Sequence, residues 1–96
     1  MAESDFSKNL KSLSKTSLKI IILGAGLKTK YERILWKYYI EDKSYEEIAE
    51  DLFIEYTSVG KLLWRARNDL QRILKTEQNV IPWEVRQNLE LLLTKK

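Results

Sequence analysis

The sequence predicts an all-α protein of about five helices, and three observations favour that class. Residues that form turns are scarce, with one proline and three glycines in 96 residues, too few for a fold of many short strands. Lys, Glu and Leu, which favour helices, are abundant. Apolar residues recur at steps of three and four instead of alternating. With 44% hydrophobic and 32% charged residues, the composition is that of one folded domain.

The composition also excludes several kinds of function. Cysteine and histidine are absent, which excludes disulfides, the usual zinc sites and chemistry that depends on a thiol or an imidazole. We therefore expect no enzymatic activity, no metal and no cofactor. The longest apolar run, residues 20–27, is too short to span a bilayer, and its setting does not fit a secretory signal. The expected location is cytoplasmic, without a membrane partner.

The net charge of +3 is unevenly distributed along the chain. Residues 1–30 carry six lysines and two acids, residues 31–54 three bases and seven acids, and residues 55–75 five bases and two acids. An acidic segment therefore precedes a basic one. This pattern is compatible with nucleic-acid binding and equally with ordinary solvated helix faces.

The N-terminal third predicts short elements. Residues 1–15 are rich in Ser and Lys and form either a flexible basic arm or a short helix through Phe6, Leu10 and Leu13. Residues 16–96 are predicted to form a single helical domain. It begins with an apolar helix over residues 16–23, which Gly24 and Gly26 end. A helix over residues 29–41 follows, and its inward residues are predicted to be Tyr31, Ile34, Leu35, Tyr38 and Tyr39.

Two further helices follow a polar break at residues 41–43. Ser44 and Glu47 have the spacing of a capping box, which predicts a helix from there to about residue 52. The next helix is predicted over residues 57–75, with Val59, Leu63, Ala66, Leu70 and either Ile73 or Leu74 on its buried face. Pro82 suits the first turn of a last helix over residues 82–94.

A short helix, a tight turn and a longer basic helix make residues 44–75 a predicted helix-turn-helix. This motif needs a small residue where the helices cross, an inward apolar residue in the turn and an early apolar residue in the second helix. Ala49, Ile54 and Val59 supply these three features. Such motifs place the second helix in the major groove of DNA.

The residues of this motif resemble region four of bacterial sigma factors over residues 30–74. The stretch from Ser44 to Glu50, Ser-Tyr-Glu-Glu-Ile-Ala-Glu, is close to the family's habitual sequence. Val59, Leu63 and the Arg-Ala-Arg of residues 65–67 fall in the family's register, and residues 31–39 resemble the preceding helix. The resemblance implies five or so helices around a sigma region-four-like helix-turn-helix. It also implies a transcription regulator of bacterial or phage type, with double-stranded DNA and RNA polymerase as partners.

The sequence departs from the family at several positions. Phe53 stands in the turn where the family has glycine, so either the turn is reshaped or the ring plugs the core. Glu55 stands where the family has a capping serine, and Thr57 or Ser58 is expected to cap the helix instead. The family commonly has basic residues at the positions of Gly60 and Leu62. A chain of 96 residues also leaves no room for the family's second large region, so we expect no complete sigma factor.

The exposed face of the second helix is the predicted DNA-binding site. Its residues follow from counting outward from the buried stripe, and they are Thr57, Ser58, Lys61, Trp64, Arg65 and Asn68. Lys43, Arg67 and Arg72 are further candidates for phosphate contacts. Two alternatives stay open at this stage. In one, Thr57 and Ser58 only cap the helix. In the other, Trp64 packs on the last helix near Trp83 or joins a partner interface.

Three functions fit these residues. The favoured one is a DNA-binding transcriptional regulator that places the helix at residues 57–75 in the major groove. The alternative is a protein-interaction module with a sigma-like fold, which binds RNA polymerase or another partner with little DNA contact. A DNA-packaging recognition subunit, in a ring-like oligomer, is the third. Residues 18–27 or 89–93 would complete the core, form a homodimer or dock on polymerase.

Overall fold

The computed structural model describes residues 5–76, and this part of the chain is helical without a strand. Residues 1–4 and the predicted last helix at 82–94, with Trp83, lie outside the described residues. The prediction of an all-α fold is confirmed. The helices are α1 (Asp5–Ser12), α2 (Lys15–Gly24), α3 (Thr29–Leu35) with a π-helical turn at Trp36–Ile40, α4 (Tyr45–Leu52) and α5 (Tyr56–Thr76).

Helix α1 forms part of the core. Of the two alternatives for residues 1–15, a flexible arm or a short helix, the structure has a helix at Asp5–Ser12. Phe6 and Leu10 share one face because they are four residues apart, and they are only 5% and 1% exposed. An isolated helix of this length is not stable in water, so packing of this apolar face against the core stabilises α1.

The helix predicted over residues 29–41 changes its winding near its end. It is α-helical to Leu35 and π-helical over Trp36–Ile40, where the Glu41 N–H donates to the Trp36 carbonyl at 3.1 Å. The Tyr39 carbonyl near this end accepts from Lys15 Nζ at 2.6 Å. Lys15 also pairs with Asp42 at 2.9 Å. These two contacts join the start of α2 to the end of the π-helical turn, where the last backbone carbonyls have no partner within the helix.

The capping box at the start of α4 is confirmed. The Ser44 N–H donates to Glu47 Oε1 at 2.9 Å, and the Glu47 N–H donates to Ser44 Oγ at 3.2 Å. The backbone N–H and the hydroxyl of Ser44 lower the pKa of Glu47. These two bonds satisfy donors that the first helical turn leaves free, so the helix begins at a position that the local sequence determines.

Helix α5 packs against α3 and α4 and supplies the centre of the core. The predicted buried stripe is confirmed, and both residues offered as alternatives at its end are buried. It consists of Val59, Leu63, Ala66, Leu70, Ile73 and Leu74. Ala49 of α4 is 9% exposed, and α4 packs against α5, so its small side chain is compatible with a close approach of the two helices.

Candidate nucleic-acid interface

The turn between α4 and α5 keeps its left-handed residue although that residue is phenylalanine. Phe53 has φ 56° and ψ 44°, a conformation that glycine usually supplies. Its ring is 95% exposed, so of the two alternatives, a reshaped turn or a ring that plugs the core, the second is wrong. Ile54 packs against the core in its place, and its N–H donates to the Ala49 carbonyl at 3.0 Å. The turn therefore has helix-turn-helix geometry at the cost of some backbone strain.

The predicted start of the second helix needs a small correction. Helix α5 begins at Tyr56, and the Ser58 N–H donates to the Glu55 carbonyl at 2.9 Å. Thr57 and Ser58 thus lie within the first helical turn instead of preceding it, so the prediction that one of them caps the helix is wrong. Glu55 occupies the position before the helix. The first turn still presents backbone N–H groups, beside which two hydroxyl side chains stand.

The outer face of α5 carries the predicted base-contacting residues on its exposed side. Five of the six are exposed, and Ser58 is half-buried; the exposed residues are Thr57, Lys61, Trp64, Arg65 and Asn68. The helical period places them on the side of α5 that faces away from the buried stripe. Among residues 5–76, neither Lys61 nor Arg65 has an acidic partner. Neither side chain is therefore held in an ion pair within this part of the chain, and the nearby Asp69 pairs with Arg72.

The start of α3 lies beside this face, which the sequence analysis did not predict. Lys28 and Tyr31 line an open groove of about 320 Å³ together with Trp64, Arg65, Asn68, Asp69 and Arg72. The available sequence signal was the Lys-Thr-Lys of residues 28–30 at the start of a helix. That signal shows basic charge but says nothing about which face of another helix it adjoins.

The structure gives internal partners to two of the three candidates for phosphate contacts. Lys43 binds Asp51, which raises the pKa of Lys43 and lowers that of Asp51. Lys43 also lines a different groove, with Lys15 and Tyr38. Arg67 is half-buried, and its charge acts on the buried Tyr39 hydroxyl. Neither residue lines the groove beside the outer face of α5.

Arg72, the third candidate, does line the groove beside α5. It is exposed and pairs with Asp69 at 2.8 Å on the same helix. Because this pair is at the surface, the ion pair contributes little to stability and leaves the guanidinium accessible.

Two positions at which the family commonly has basic residues are turned toward the protein. A Cβ atom at Gly60 would lie 3.7 Å from Tyr45 Cε2, an ordinary van der Waals distance. Leu62 is partly buried against the core. Packing therefore does not require glycine at position 60, and Gly60 stands beside α4 instead of at the outermost point of α5.

Two absences hold for the described helices. None of them has both the length and the hydropathy to cross a bilayer. Within residues 5–76, no group of three or more acidic side chains is arranged to hold a metal ion.

A comparison with known families agrees with the fold. Residues 25–70 match the family model described as Sigma-70, region 4. These residues are a sigma region-four-like helix-turn-helix. The match extends from before α3 into α5 and includes the turn at Phe53 as well as Lys61 and Arg65. Region 4 is a DNA-binding, non-catalytic domain. No curated protein and no solved structure matches the chain.

Proposed function

We propose that this protein is a transcriptional regulator that binds duplex DNA by laying the N-terminal half of α5 in the major groove. The observation that carries the proposal is the outer face of α5 in the region 4-like helix-turn-helix. It exposes Lys61 and Arg65 one turn apart, and neither has an acidic partner within residues 5–76. An arginine in the groove suits the two acceptors of guanine, and a lysine suits guanine or a phosphate.

The dimensions of α5 suit this role. An α-helix with its side chains is about 10–12 Å across, which fits the width of about 12 Å of the major groove. Thr57 and Ser58 at the start of α5 would donate to a phosphate, together with the backbone N–H groups of the first turn. Asn68 would lie at the rim of the groove. Trp64 is exposed, and its large apolar ring would pack on a sugar or on a thymine methyl group.

The test is a fluorescence anisotropy titration of a labelled random duplex at a series of salt concentrations. We expect binding whose logarithmic affinity falls linearly with the logarithm of salt, because phosphate contacts release counterions. No binding at low salt would overturn the proposal. If binding is present, selection of tight sites from a random library would identify the target sequence. A regulator of this kind would act in the cytoplasm, where bacterial or phage DNA is transcribed.

The second candidate is a protein-interaction module that binds RNA polymerase with little DNA contact. Phe53, in the turn, is 95% exposed, and Tyr56, the first residue of α5, is 56% exposed. Exposed aromatic side chains are typical of the centre of protein interfaces. The test measures the binding of the labelled protein to purified RNA polymerase and compares it with that of the Phe53→Gly variant. Polymerase binding that Phe53→Gly abolishes, in a protein that does not bind the random duplex, would favour it.

The third function, a DNA-packaging recognition subunit, predicts a ring-like oligomer. The measurement is molar mass by light scattering after size-exclusion chromatography. A ring-sized mass would favour packaging, whereas a monomer or a homodimer would agree with the regulator.

A further inference from the structure

The ring of Phe53 contributes no packing to the single chain. It is 95% exposed, and the backbone that carries it has φ 56°, which disfavours any residue with a Cβ atom. Glycine at this position would relieve the strain and lose no buried apolar surface. A large apolar ring that the fold holds out in solvent is typical of an anchor that inserts into a pocket of a partner.

An open groove begins at the residues that precede this ring. Leu52 of α4 lines the groove together with Leu23 of α2 and Trp36 of the π-helical turn. The volume of the groove is about 440 Å³, whereas a cavity of about 150 Å³ already holds a benzene ring. Leu23 is 57% exposed, so this apolar wall faces solvent in the single chain. The chain therefore carries an exposed aromatic ring and, beside it, a groove large enough for such a ring.

The charged residues of the groove complement those of a second copy. Two acids and two bases line it, and they are Glu32, Arg33, Lys37 and Asp51. Lys37 already pairs with Asp51 at 3.3 Å. Within residues 5–76, neither Glu32 nor Arg33 has an ion-pair partner. Because the four charges cancel, a second copy that meets this groove is not repelled, and Glu32 of one copy can pair with the partner subunit's Arg33.

We propose that this protein forms a two-fold symmetric dimer in which Phe53 of each copy occupies the groove between Leu23, Trp36 and Leu52 of the other. A two-fold axis makes every contact occur twice, so both rings insert together. Phe53 follows Leu52 in the chain, which places ring and groove side by side near such an axis. A second copy fits better than an unrelated partner because the chain itself supplies both halves of the contact.

The proposed interface is separate from the proposed DNA-binding face. Among the described residues, none from α5 lines the groove of Leu23 and Trp36. Trp64 and Arg65 of α5 line a different groove. The dimer would therefore present two outer faces of α5, as dimeric helix-turn-helix proteins do on paired half-sites. The inference does not depend on DNA binding, and its test contains no DNA.

The main test is sedimentation equilibrium of the full chain over a range of protein concentrations. We expect a wild-type dimer whose Kd Phe53→Ala raises by at least about 30-fold, the effect typical of truncating an interface anchor. Trp64→Ala is the matched control, since it removes another exposed aromatic ring from outside the interface and should leave the Kd unchanged. Below the Kd, where the chain is monomeric, Phe53→Ala should melt like wild type, which shows that the variant is folded.

A second variant tests the groove side of the contact. Leu23→Gln removes an exposed apolar wall while it keeps a residue that favours helices, and it should also weaken the dimer. Labelled Phe53→Ala should then bind unlabelled Leu23→Gln more tightly than unlabelled Phe53→Ala. The mixed pair retains one ring facing one intact groove, whereas two copies of Phe53→Ala retain no ring. Equal binding in the two mixtures would overturn the exchange of rings.

The remaining outcomes separate this inference from the proposed function. A wild-type monomer at up to about 1 mM would overturn the dimer, since even a complex with a Kd of that order would be substantially formed. A dimer that Phe53→Ala leaves intact would place the interface elsewhere and also overturn it. Masses that grow beyond a dimer would indicate a head-to-tail contact, against two-fold symmetry. None of these results affects the duplex titration, which tests the proposed function by itself.

Discussion

The hydroxyl of Tyr39 lies 2.9 Å from Ser7 Oγ, and this hydrogen bond joins α1 to the π-helical turn inside the protein. Both side chains are buried, Ser7 completely and Tyr39 to all but 4%. Burial raises the pKa of Tyr39, while the bond to Ser7 and the charge of Arg67 act in the opposite direction. A serine of the segment predicted as either a flexible arm or a short helix is therefore buried and hydrogen-bonded within the core.

Tyr39→Phe should lower the free energy of unfolding by about 0.5–1.5 kcal/mol near neutral pH, the usual net value of one hydrogen bond. Urea denaturation followed by circular dichroism measures it. Tyr56→Phe, which removes a hydroxyl from an exposed ring, is the matched control and should leave stability unchanged. An unchanged stability of Tyr39→Phe would show that the buried bond contributes nothing.

The same pair predicts a difference between wild type and Tyr39→Phe at alkaline pH. The folded-state pKa of Tyr39 is raised above its ordinary value of about 10. Its contribution to stability is therefore fully present below that value and is lost as pH rises through the folded-state pKa, because the unfolded chain releases the proton first. Urea denaturation above the ordinary tyrosine pKa should show a larger loss of stability in wild type than in Tyr39→Phe. Parallel pH profiles would contradict the assignment.

Phe53→Gly should raise stability by up to about 1 kcal/mol. A left-handed conformation costs a non-glycine residue about 1–2 kcal/mol, and the greater backbone entropy of glycine offsets part of that gain. No packing is lost because the ring is 95% exposed. Thermal denaturation measures the effect, and Phe53→Ala, which keeps the strained Cβ, should stay close to wild type. Destabilisation by Phe53→Gly would mean that the ring makes contacts in solution.

Gly60→Ala should also stabilise the protein, by about 0.5–1 kcal/mol, through better helix propensity. The added methyl group would meet Tyr45 at 3.7 Å, which is ordinary contact. Gly26→Ala is the contrasting variant, since Gly26 has φ +70° and the added Cβ would be strained, so it should destabilise. Chemical denaturation of both variants checks the signs. Destabilisation by Gly60→Ala would place Tyr45 closer to α5 than this structure does.

Ala49→Leu should destabilise the protein by about 1–3 kcal/mol because the larger side chain would separate α4 from α5. Ala49 is 9% exposed, and α4 packs against α5. Glu50→Leu adds the same side chain on the exposed side of α4 and serves as the control. The melting temperature reports both. Unchanged melting of Ala49→Leu would exclude a close crossing of the two helices.

Lys61→Ala and Arg65→Ala should each weaken DNA binding without a change in melting temperature, since both side chains are exposed. For Arg65 the expected loss at a selected site is about 1–3 kcal/mol, together with relaxed preference for guanine at one position. Lys75→Ala, in the last turn of α5, is the control on the same helix. Wild-type binding by both variants would show that this face is not the one that contacts DNA.

The sequence by itself determined the features that depend on residues close together in the chain. The helical class and the buried stripe of α5 follow from side-chain period, and the start of α4 follows from a bond between Ser44 and Glu47. The exposure of Lys61 and Arg65 was also predictable, because both lie on the face of α5 that the buried stripe does not occupy. Gly26 and the residue at position 53 were both recognised as places where the backbone turns.

Only the tertiary structure decided what depends on residues far apart in the chain. It made α1 a helix through the burial of Phe6 and Leu10, and it left the ring of Phe53 exposed at the turn. It gave Lys43 and Arg67 internal partners and brought Lys28 to the side of Arg65. Such pairings form when the core packs, and no local period or cap encodes which distant surfaces then meet.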